Sequence, residues 1–209
     1  MVQRSRVELS VLVLSLLAWH CGGEKPPAEA VHEVLTPASR VVTEAEPLGP
    51  NDARIAALAD ATNNAVIAQA EVAWGRARDE HLRQFAHQQV MRHRDATLEQ
   101  SRVESSLGLV PSESDRSSAL DARGQQEVVR LLKIEQRDFD SLYLRTQLRW
   151  HKEALRLFDS ELVPNAENGE LKASLRKQRE LLASQEEELS QLYGMLGSPP
   201  FGPDALPSY

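Results

Sequence analysis

Residues 85–97, FAHQQVMRHRDAT, carry the pattern that decides the fold of this chain. Apolar and small side chains recur in this stretch at the three- and four-residue spacing of one helix face. His93 falls on the same inward face, where a helix of a soluble protein usually carries an apolar residue. The stretch therefore predicts an amphipathic α-helix with an inward histidine, which is either a metal ligand or a hydrogen-bonded core residue.

Three further long segments share this period, and no segment has the pattern of a β-strand. Asn51 or Asp52 is the expected N-cap of the first helix, and Asp79 and Asp138 are the expected N-caps of two others. The long helices are predicted from residue 52 to about 78, 80 to about 107, 139 to about 162 and 170 to about 196. Ser118 and Asp121 form a possible capping box, which predicts a shorter helix that ends near residue 136.

The connections between the long helices predict the topology. Tight turns join the first helix to the second and the third to the fourth, so each pair is expected to form an antiparallel hairpin. The link 108–137 is much longer, and a helix of about 29 residues spans about 43 Å, so the link is able to return along it. Two hairpins joined by a long crossover with a short helix predict an all-α, ferritin-like four-helix bundle.

The N-terminus has the features of an export signal. Arg4 and Arg6 precede the apolar run 9–18, LSVLVLSLLA, which is too short to span a bilayer and fits the h-region of a signal peptide. Cys21 follows almost at once, as in bacterial lipoprotein signals. We therefore predict a lipoprotein signal peptide over residues 1–20 and lipidation of Cys21, which would attach the protein to a membrane.

The alternative is an ordinary cleaved signal, which would leave a soluble periplasmic or secreted protein. Residues 28–30, AEA, fit a small-residue cleavage site, and His20 is unusual before a lipidated cysteine. Gly22 follows Cys21, and by resemblance to known lipoproteins this favours an outer-membrane protein that faces the periplasm.

Composition divides the rest of the chain. Residues 21–50 are rich in proline and have no sustained period, which predicts a disordered tether, and 197–209 predict a disordered tail. The helical domain is predicted over residues 51–196.

The formal net charge of −7 and the lack of a basic cluster argue against nucleic acid as a partner. A single cysteine excludes an internal disulfide.

Several motifs together resemble the bacterial ferritin-like family called domain of unknown function 4142. They are Asn63 in the first helix, FAHQQVMRH with His93 in the second, and FDSLY at 139–143 followed by His151. The chain departs from the family pattern at Val66, where a glutamate is usual, at Arg92, where an aspartate is usual, and at Gln185, in place of a final histidine. The resemblance covers about residues 51–196 and implies an exported helical bundle without implying a known activity.

His93 and His151 are the candidate metal ligands, because both fall on inward helix faces. Two imidazoles with Asp140 or Glu153, which lie near His151 in the sequence, could hold Cu(II), Zn(II) or Ni(II). The alternative is a core polar network in which Asn63, Tyr143, Gln147 and Gln185 satisfy the histidines. Di-iron chemistry is not expected, because the predicted bundle contains no Glu-x-x-His motif.

The sequence favours a non-enzymatic protein without a cofactor, because it has no nucleophile elbow and no phosphate-binding glycine pattern. The expected function is a binding or structural role in the cell envelope. One alternative is a metal-binding protein that stores, buffers or senses a divalent metal ion. Another is a module that forms homo-oligomers or docks a protein partner through an exposed helix face.

Overall fold

The computed structural model describes residues 49–196, in which every regular element is a helix. The predicted signal peptide, Cys21, the tether before residue 49 and the tail 197–209 lie outside the described residues. The helices are α1 (Asp52–Arg76), α2 (Glu80–Leu107), α3 (Asp115–Lys133), α4 (Phe139–Leu157), α5 (Val163–Asn165) and α6 (Gly169–Met195). Residues 49–196 contain no strand, which confirms the predicted all-α class.

The ends of α2 follow from its sequence as predicted. The Asp79 side chain accepts a hydrogen bond from the backbone N–H of Leu82 at 2.9 Å, which is an N-cap bond. At the other end, Gly108 adopts φ 62°, a left-handed conformation that suits glycine. Asp138 lies at the N-cap position of α4 after the 3₁₀ turn Gln136–Asp138, but its side chain makes no cap bond.

The predicted start of α3 is wrong. The capping box is formed by Ser114 and Ser117, not by Ser118 and Asp121, so α3 begins at Asp115 and ends at Lys133. The loop from residue 109 to residue 118 contains four serines, and each of them has a side chain able to cap a helix. The prediction requires an acidic residue three positions after the capping serine, which favours Ser118. In the structure the second side chain of the box is Ser117, so the capping residue is Ser114.

Two pairs of helices pack as antiparallel hairpins. In the α1–α2 pair, Arg94 contacts Glu71 and Gln100 contacts the carbonyl of Ala56, so the two helices run in opposite directions. In the second pair, α4 and the π-helical turn Phe158–Leu162 that continues it run against α6. Contacts of His151 with Gln185 and of Asp159 with Arg179 fix this direction.

The helix α3 lies in the link between α2 and α4 and packs along α1. Gly124 lies against Ala65 near the middle of α1, and Arg76 at the end of α1 bonds the carbonyls of Leu132 and Ile134 beyond the middle of α3. The two helices therefore run in the same direction. α4 consequently begins at the end of the molecule where α2 begins, and the side chains of α1, α2, α4 and α6 meet in one interior.

The interior is apolar at its ends and polar in between. One apolar cluster includes Leu58, Phe158 and Leu175, and another includes Leu82, Phe139 and Leu189. Fully buried glutamine, asparagine and histidine side chains occupy the helices between these clusters. Within residues 49–196, no helix is long and apolar enough to cross a membrane.

Candidate functional site

The buried polar layer contains His93 at its centre. His93 is fully buried on α2, and its Nδ1 lies 2.8 Å from Oδ1 of Asn63 on α1. Its Nε2 lies 2.7 Å from Oε1 of Gln185 on α6. Asn63 in turn donates from Nδ2 to Oε1 of Gln178 at 2.8 Å. A single imidazole therefore links three helices through side-chain amides.

His151 on α4 joins the same layer from the opposite side. Its Nε2 lies 2.9 Å from the same Oε1 atom of Gln185, and its Nδ1 lies 2.9 Å from the backbone carbonyl of Gln147. Gln89 contacts His151 Nε2 at 3.3 Å and accepts a hydrogen bond from the Tyr143 hydroxyl at 2.6 Å. The Gln147 amide donates to Gln69 of α1 at 2.8 Å.

The layer continues along the interior to a pair of carboxylates. Gln178 donates to Oε1 of Gln100 at 2.6 Å. The Gln100 Nε2 atom faces Oδ1 of Asp60 at 2.7 Å, Oε1 of Glu104 at 2.9 Å and the carbonyl of Ala56 at 3.1 Å. Three acceptors thus surround an amide nitrogen with two hydrogens. One proton on a carboxyl group would relieve this excess of acceptors.

A protein-family model described as Domain of unknown function (DUF4142) matches residues 37–192. The chain belongs to the DUF4142 family. No curated protein matches it. The crystal structure of a DUF305 fragment from Deinococcus radiodurans is similar, with a TM-score of 0.60 and 17% identity. That similarity covers 71% of this chain and 99% of the fragment, and at this identity it shows a shared helical fold alone.

The backbone determines which nitrogen of His151 carries the proton in this DUF4142 chain. A backbone carbonyl accepts only, so Nδ1 of His151, which faces the carbonyl of Gln147, is the donor. Nε2 of the neutral ring is then an acceptor, in agreement with the Gln89 amide nitrogen 3.3 Å away. The Gln185 atom beside Nε2 must therefore be a donor, which is the amide nitrogen rather than the oxygen.

Exchanging the oxygen and nitrogen of the Gln185 amide gives each imidazole one donor and one acceptor, and the exchange fits the site because the two ends of an amide are nearly equal in size. The NH₂ group then donates to Nε2 of both His93 and His151, and Nδ1 of His93 donates to Asn63. Without the exchange, both hydrogens of the Gln185 amide lack an acceptor among the described residues and its oxygen faces the two Nε2 acceptors. With it, both hydrogens are used and the Gln185 oxygen takes the unpaired position. We therefore assign both histidines as neutral rings protonated on Nδ1.

Burial also favours neutral imidazoles. It lowers the pKa of His93 to about 3, and the neighbouring His151 lowers it further. Burial lowers the pKa of His151 as well, against the bond to the backbone carbonyl of Gln147. Burial raises the pKa of the Tyr143 hydroxyl, which keeps it a neutral donor to Gln89. The layer is thus built from uncharged groups around the histidines.

The carboxylates proposed from the sequence as further metal ligands lie elsewhere. Asp140 accepts hydrogen bonds from the backbone N–H groups of Arg78 and Asp79 at 3.0 and 2.9 Å, so it holds the turn between α1 and α2. Glu153 pairs with Arg123 of α3. Within the described part of the chain, no three His, Cys, Asp or Glu side chains are grouped to hold a metal ion.

The sequence interpretation missed half of the layer. The sequence predicts Asn63, Tyr143, Gln147 and Gln185 as partners of the histidines. Asn63 and Gln185 contact the rings through their amides and Gln147 through its backbone carbonyl, whereas Tyr143 bonds Gln89 instead. Residues overlooked as partners are Gln69, Gln89, Gln100, Gln178, Asp60 and Glu104. Helical spacing places three of these six on inward faces, because Gln89 and Gln100 are four and seven residues from His93, and Gln178 is seven from Gln185.

Proposed function

We propose that this DUF4142 chain is a lipid-anchored protein of the cell envelope whose helical domain acts without catalysis, in a binding or structural role. One observation carries the non-catalytic part. His93 and His151 are fully buried, and all four ring nitrogens face partners in the chain within 2.9 Å. A histidine that acts as an acid–base catalyst must contact its substrate, and the burial of these two rings prevents such a contact.

Accessibility of the imidazoles tests this part of the proposal. Diethyl pyrocarbonate modifies histidines that solvent reaches, and peptide mass spectrometry locates the modification. In the folded mature chain we expect modification of His81 and His87, which are exposed, and none of His93 and His151. The buried pair should react only after unfolding in urea. Rapid modification of either ring in the folded protein would overturn the closed-core interpretation.

The anchor rests on the sequence of the first 21 residues and has a separate test. The full chain would be expressed in a Gram-negative host supplied with an alkyne-bearing fatty acid, with a Cys21→Ser variant as the matched control. We expect the label in the outer-membrane fraction for the parent chain and no label for Cys21→Ser. Equal labelling of both chains, or an unlabelled parent in the soluble periplasmic fraction, would contradict lipidation.

A second candidate function is divalent-metal binding, and the convergence of the two histidines favours it. Nε2 of His93 and Nε2 of His151 point at one atom of Gln185 from 2.7 and 2.9 Å. If Gln185 turned its oxygen toward them or swung aside, two imidazoles and an amide oxygen would be able to hold Cu(II), Zn(II) or Ni(II). Binding would have to break the present hydrogen bonds, so weak affinity is expected.

Metal content decides between the two candidates. The mature chain, purified without a histidine tag, would be compared with the His93→Ala/His151→Ala double variant by equilibrium dialysis. Near-stoichiometric metal that disappears in the double variant would establish the metal protein. Absence of metal from both chains would leave the closed polar core.

A further inference from the structure

An indole, an imidazole and a thioether meet on the outer surface where α1 packs against α2. The Trp74 ring of α1 lies against the His87 ring of α2, with ring centroids 4.5 Å apart and ring planes tilted by 38°. Met91 follows His87 by four residues on α2, so the two side chains are neighbours on one helix face. His93 lies on the buried side of the same helix, which separates this surface group from the polar layer.

A neighbouring ion pair shows which part of α1 lies beside Met91. Arg94 of α2 pairs with Glu71 of α1, further along the two helices than the contact between the Trp74 and His87 rings. Met91 lies between His87 and Arg94 on α2, so its side chain lies beside the same stretch of α1. The two helices therefore bring the thioether, the imidazole and the indole to one place on the surface.

His87 differs from the other histidines of residues 49–196 in having no polar partner there for either ring nitrogen. Nδ1 of His81 lies 3.7 Å from the carboxylate of Asp79, and His93 and His151 are engaged in the buried layer. His87 is also exposed, and Met91 is 48% exposed. The imidazole and the thioether are therefore accessible to an ion from solvent without the loss of an existing hydrogen bond.

The donor atoms select the kind of metal. A thioether is a soft ligand that favours Cu(I), whereas Mg²⁺, Ca²⁺ and Mn²⁺ prefer oxygen ligands, and imidazole also suits copper. Four-residue spacing on a helix brings two side chains onto one ion, as in helical zinc motifs. An ion on a nitrogen of His87 would lie close to the Trp74 ring, and the face of an indole attracts a cation within about 6 Å.

We propose that His87 and Met91 bind one Cu(I) ion on the surface of the bundle, beside the ring of Trp74. The imidazole nitrogen and the thioether sulfur are the two ligands, and both are neutral donors, which suits a monovalent ion. This site gives the proposed binding role a ligand and rests on that role. It requires neither lipidation of Cys21 nor a metal at the buried histidines.

The two methionines of the mature chain provide the reporter and its internal control. Ag⁺ is the probe, because it shares the ligand preferences of Cu(I) and is stable in air, and a Cys21→Ser substitution removes the competing thiol. Met91 and Met195 are both exposed and are labelled together with carbon-13 at the methyl group. We expect the Met91 methyl and His87 ring NMR signals to shift and to saturate at one equivalent of Ag⁺, while those of Met195 and His81 stay in place.

Substitutions in the same background identify the ligands. Met91→Leu keeps the size of the side chain but removes the sulfur, so the Ag⁺ affinity measured by isothermal titration calorimetry should fall by about tenfold or more. Met195→Leu is the matched control and should leave the affinity unchanged. Trp74→Leu should weaken binding about threefold, the equivalent of one exposed contact between a cation and a ring face.

The contrary results are equally specific. Equal, unsaturated shifts of the two methionine methyl signals, or equal affinities of the Met91→Leu and Met195→Leu chains, would overturn the surface site. Shifts of the His93 and His151 signals in place of that of His87 would move the ion to the core and would also overturn it. If Ag⁺ fails to bind while diethyl pyrocarbonate still spares the buried rings, the closed core stands and the Cu(I) site alone is refuted.

Discussion

His93 and His151, on helices α2 and α4, direct their Nε2 atoms at the same side-chain atom of Gln185, at 2.7 and 2.9 Å. The two rings lie edge to face, with centroids 6.3 Å apart. One glutamine amide that donates both hydrogens satisfies both rings at once. This arrangement explains how a helical core tolerates two fully buried histidines: each is neutral, and each has a donor and an acceptor beside it.

The first prediction concerns the loss of one ring. His93→Leu would fill the space but leave the side-chain oxygen of Asn63 and one hydrogen of Gln185 without partners. Because unsatisfied buried polar groups are costly, we expect the free energy of unfolding to fall by about 2–4 kcal/mol. Urea unfolding followed by circular dichroism measures it. The surface substitution His87→Leu should change it by less than about 0.5 kcal/mol, and equal effects of the two would refute the network.

Acid should weaken the fold through both histidines. Their pKa values are lowered by burial, that of His93 to about 3 from an ordinary 6.5. Below about pH 6.5 these histidines bind protons in the unfolded chain but remain neutral in the folded chain. The stability contributed by His93 is therefore complete above pH 6.5 and is lost as pH falls toward 3, by about 1.4 kcal/mol per pH unit. The lowered pKa of His151 adds a loss in the same direction.

A series of urea titrations from pH 7 to pH 4 measures this loss. His93→Gln removes one titrating group, so its stability should decline less steeply than that of the parent by about 1.4 kcal/mol per pH unit. Parallel curves for the two proteins would mean that His93 is not held neutral in the folded state.

Asp60 should make the stability of the fold depend on pH in the opposite direction, with a loss as pH rises. Burial, then the nearby Glu104 and Asp121, raise the pKa of Asp60 to about 7. Between about pH 4 and pH 7 the folded chain keeps a proton that the unfolded chain has released. The stability contributed by Asp60 is thus present at low pH and is lost as pH rises through 7.

An Asp60→Asn substitution should therefore raise the melting temperature more at pH 8 than at pH 5. The asparagine oxygen can still accept from Gln100, and its NH₂ group can donate toward Glu104. Asp95→Asn, at an exposed position of α2, serves as the control and should leave both melting temperatures close to the parent values. An equal shift at both pH values for Asp60→Asn would argue against a proton on Asp60.

Asp52 should be the strongest single contributor outside the polar layer. Its buried carboxylate accepts hydrogen bonds from the backbone N–H groups of Gly49, Glu167 and Asn168 at 2.7, 2.9 and 3.1 Å. These bonds tie the start of α1 to the start of α6. Asp52→Ala should cost about 3 kcal/mol or more, because it leaves buried donors unpaired. Asn51→Ala is the matched control, since the Asn51 side chain makes no cap bond; a similar loss in both would refute the role of Asp52.

Sequence periodicity was sufficient for the helices and for the inward position of His93. A helix face is a property of one segment, so the spacing of Phe85, Val90 and His93 predicts which side is buried. Partners across helices depend on the register between segments, which no single segment contains. Helical spacing alone places Gln100 and Gln178 on inward faces, but only the register between α2 and α6 brings the Gln178 amide to Gln100. For the same reason, Asp140 lies near His151 in the sequence but holds the α1–α2 turn and is not beside the histidine.

The closed polar core requires that both imidazoles are neutral. Nitrogen-15 NMR of the mature chain, labelled at its histidine rings, reports which ring nitrogen carries a proton. We predict that His93 and His151 are neutral and protonated on Nδ1 from pH 7 to pH 5, and that one equivalent of Zn²⁺ leaves both Nε2 signals unchanged. Doubly protonated rings at pH 5, or a shift of both Nε2 signals with one equivalent of zinc, would contradict the closed polar core.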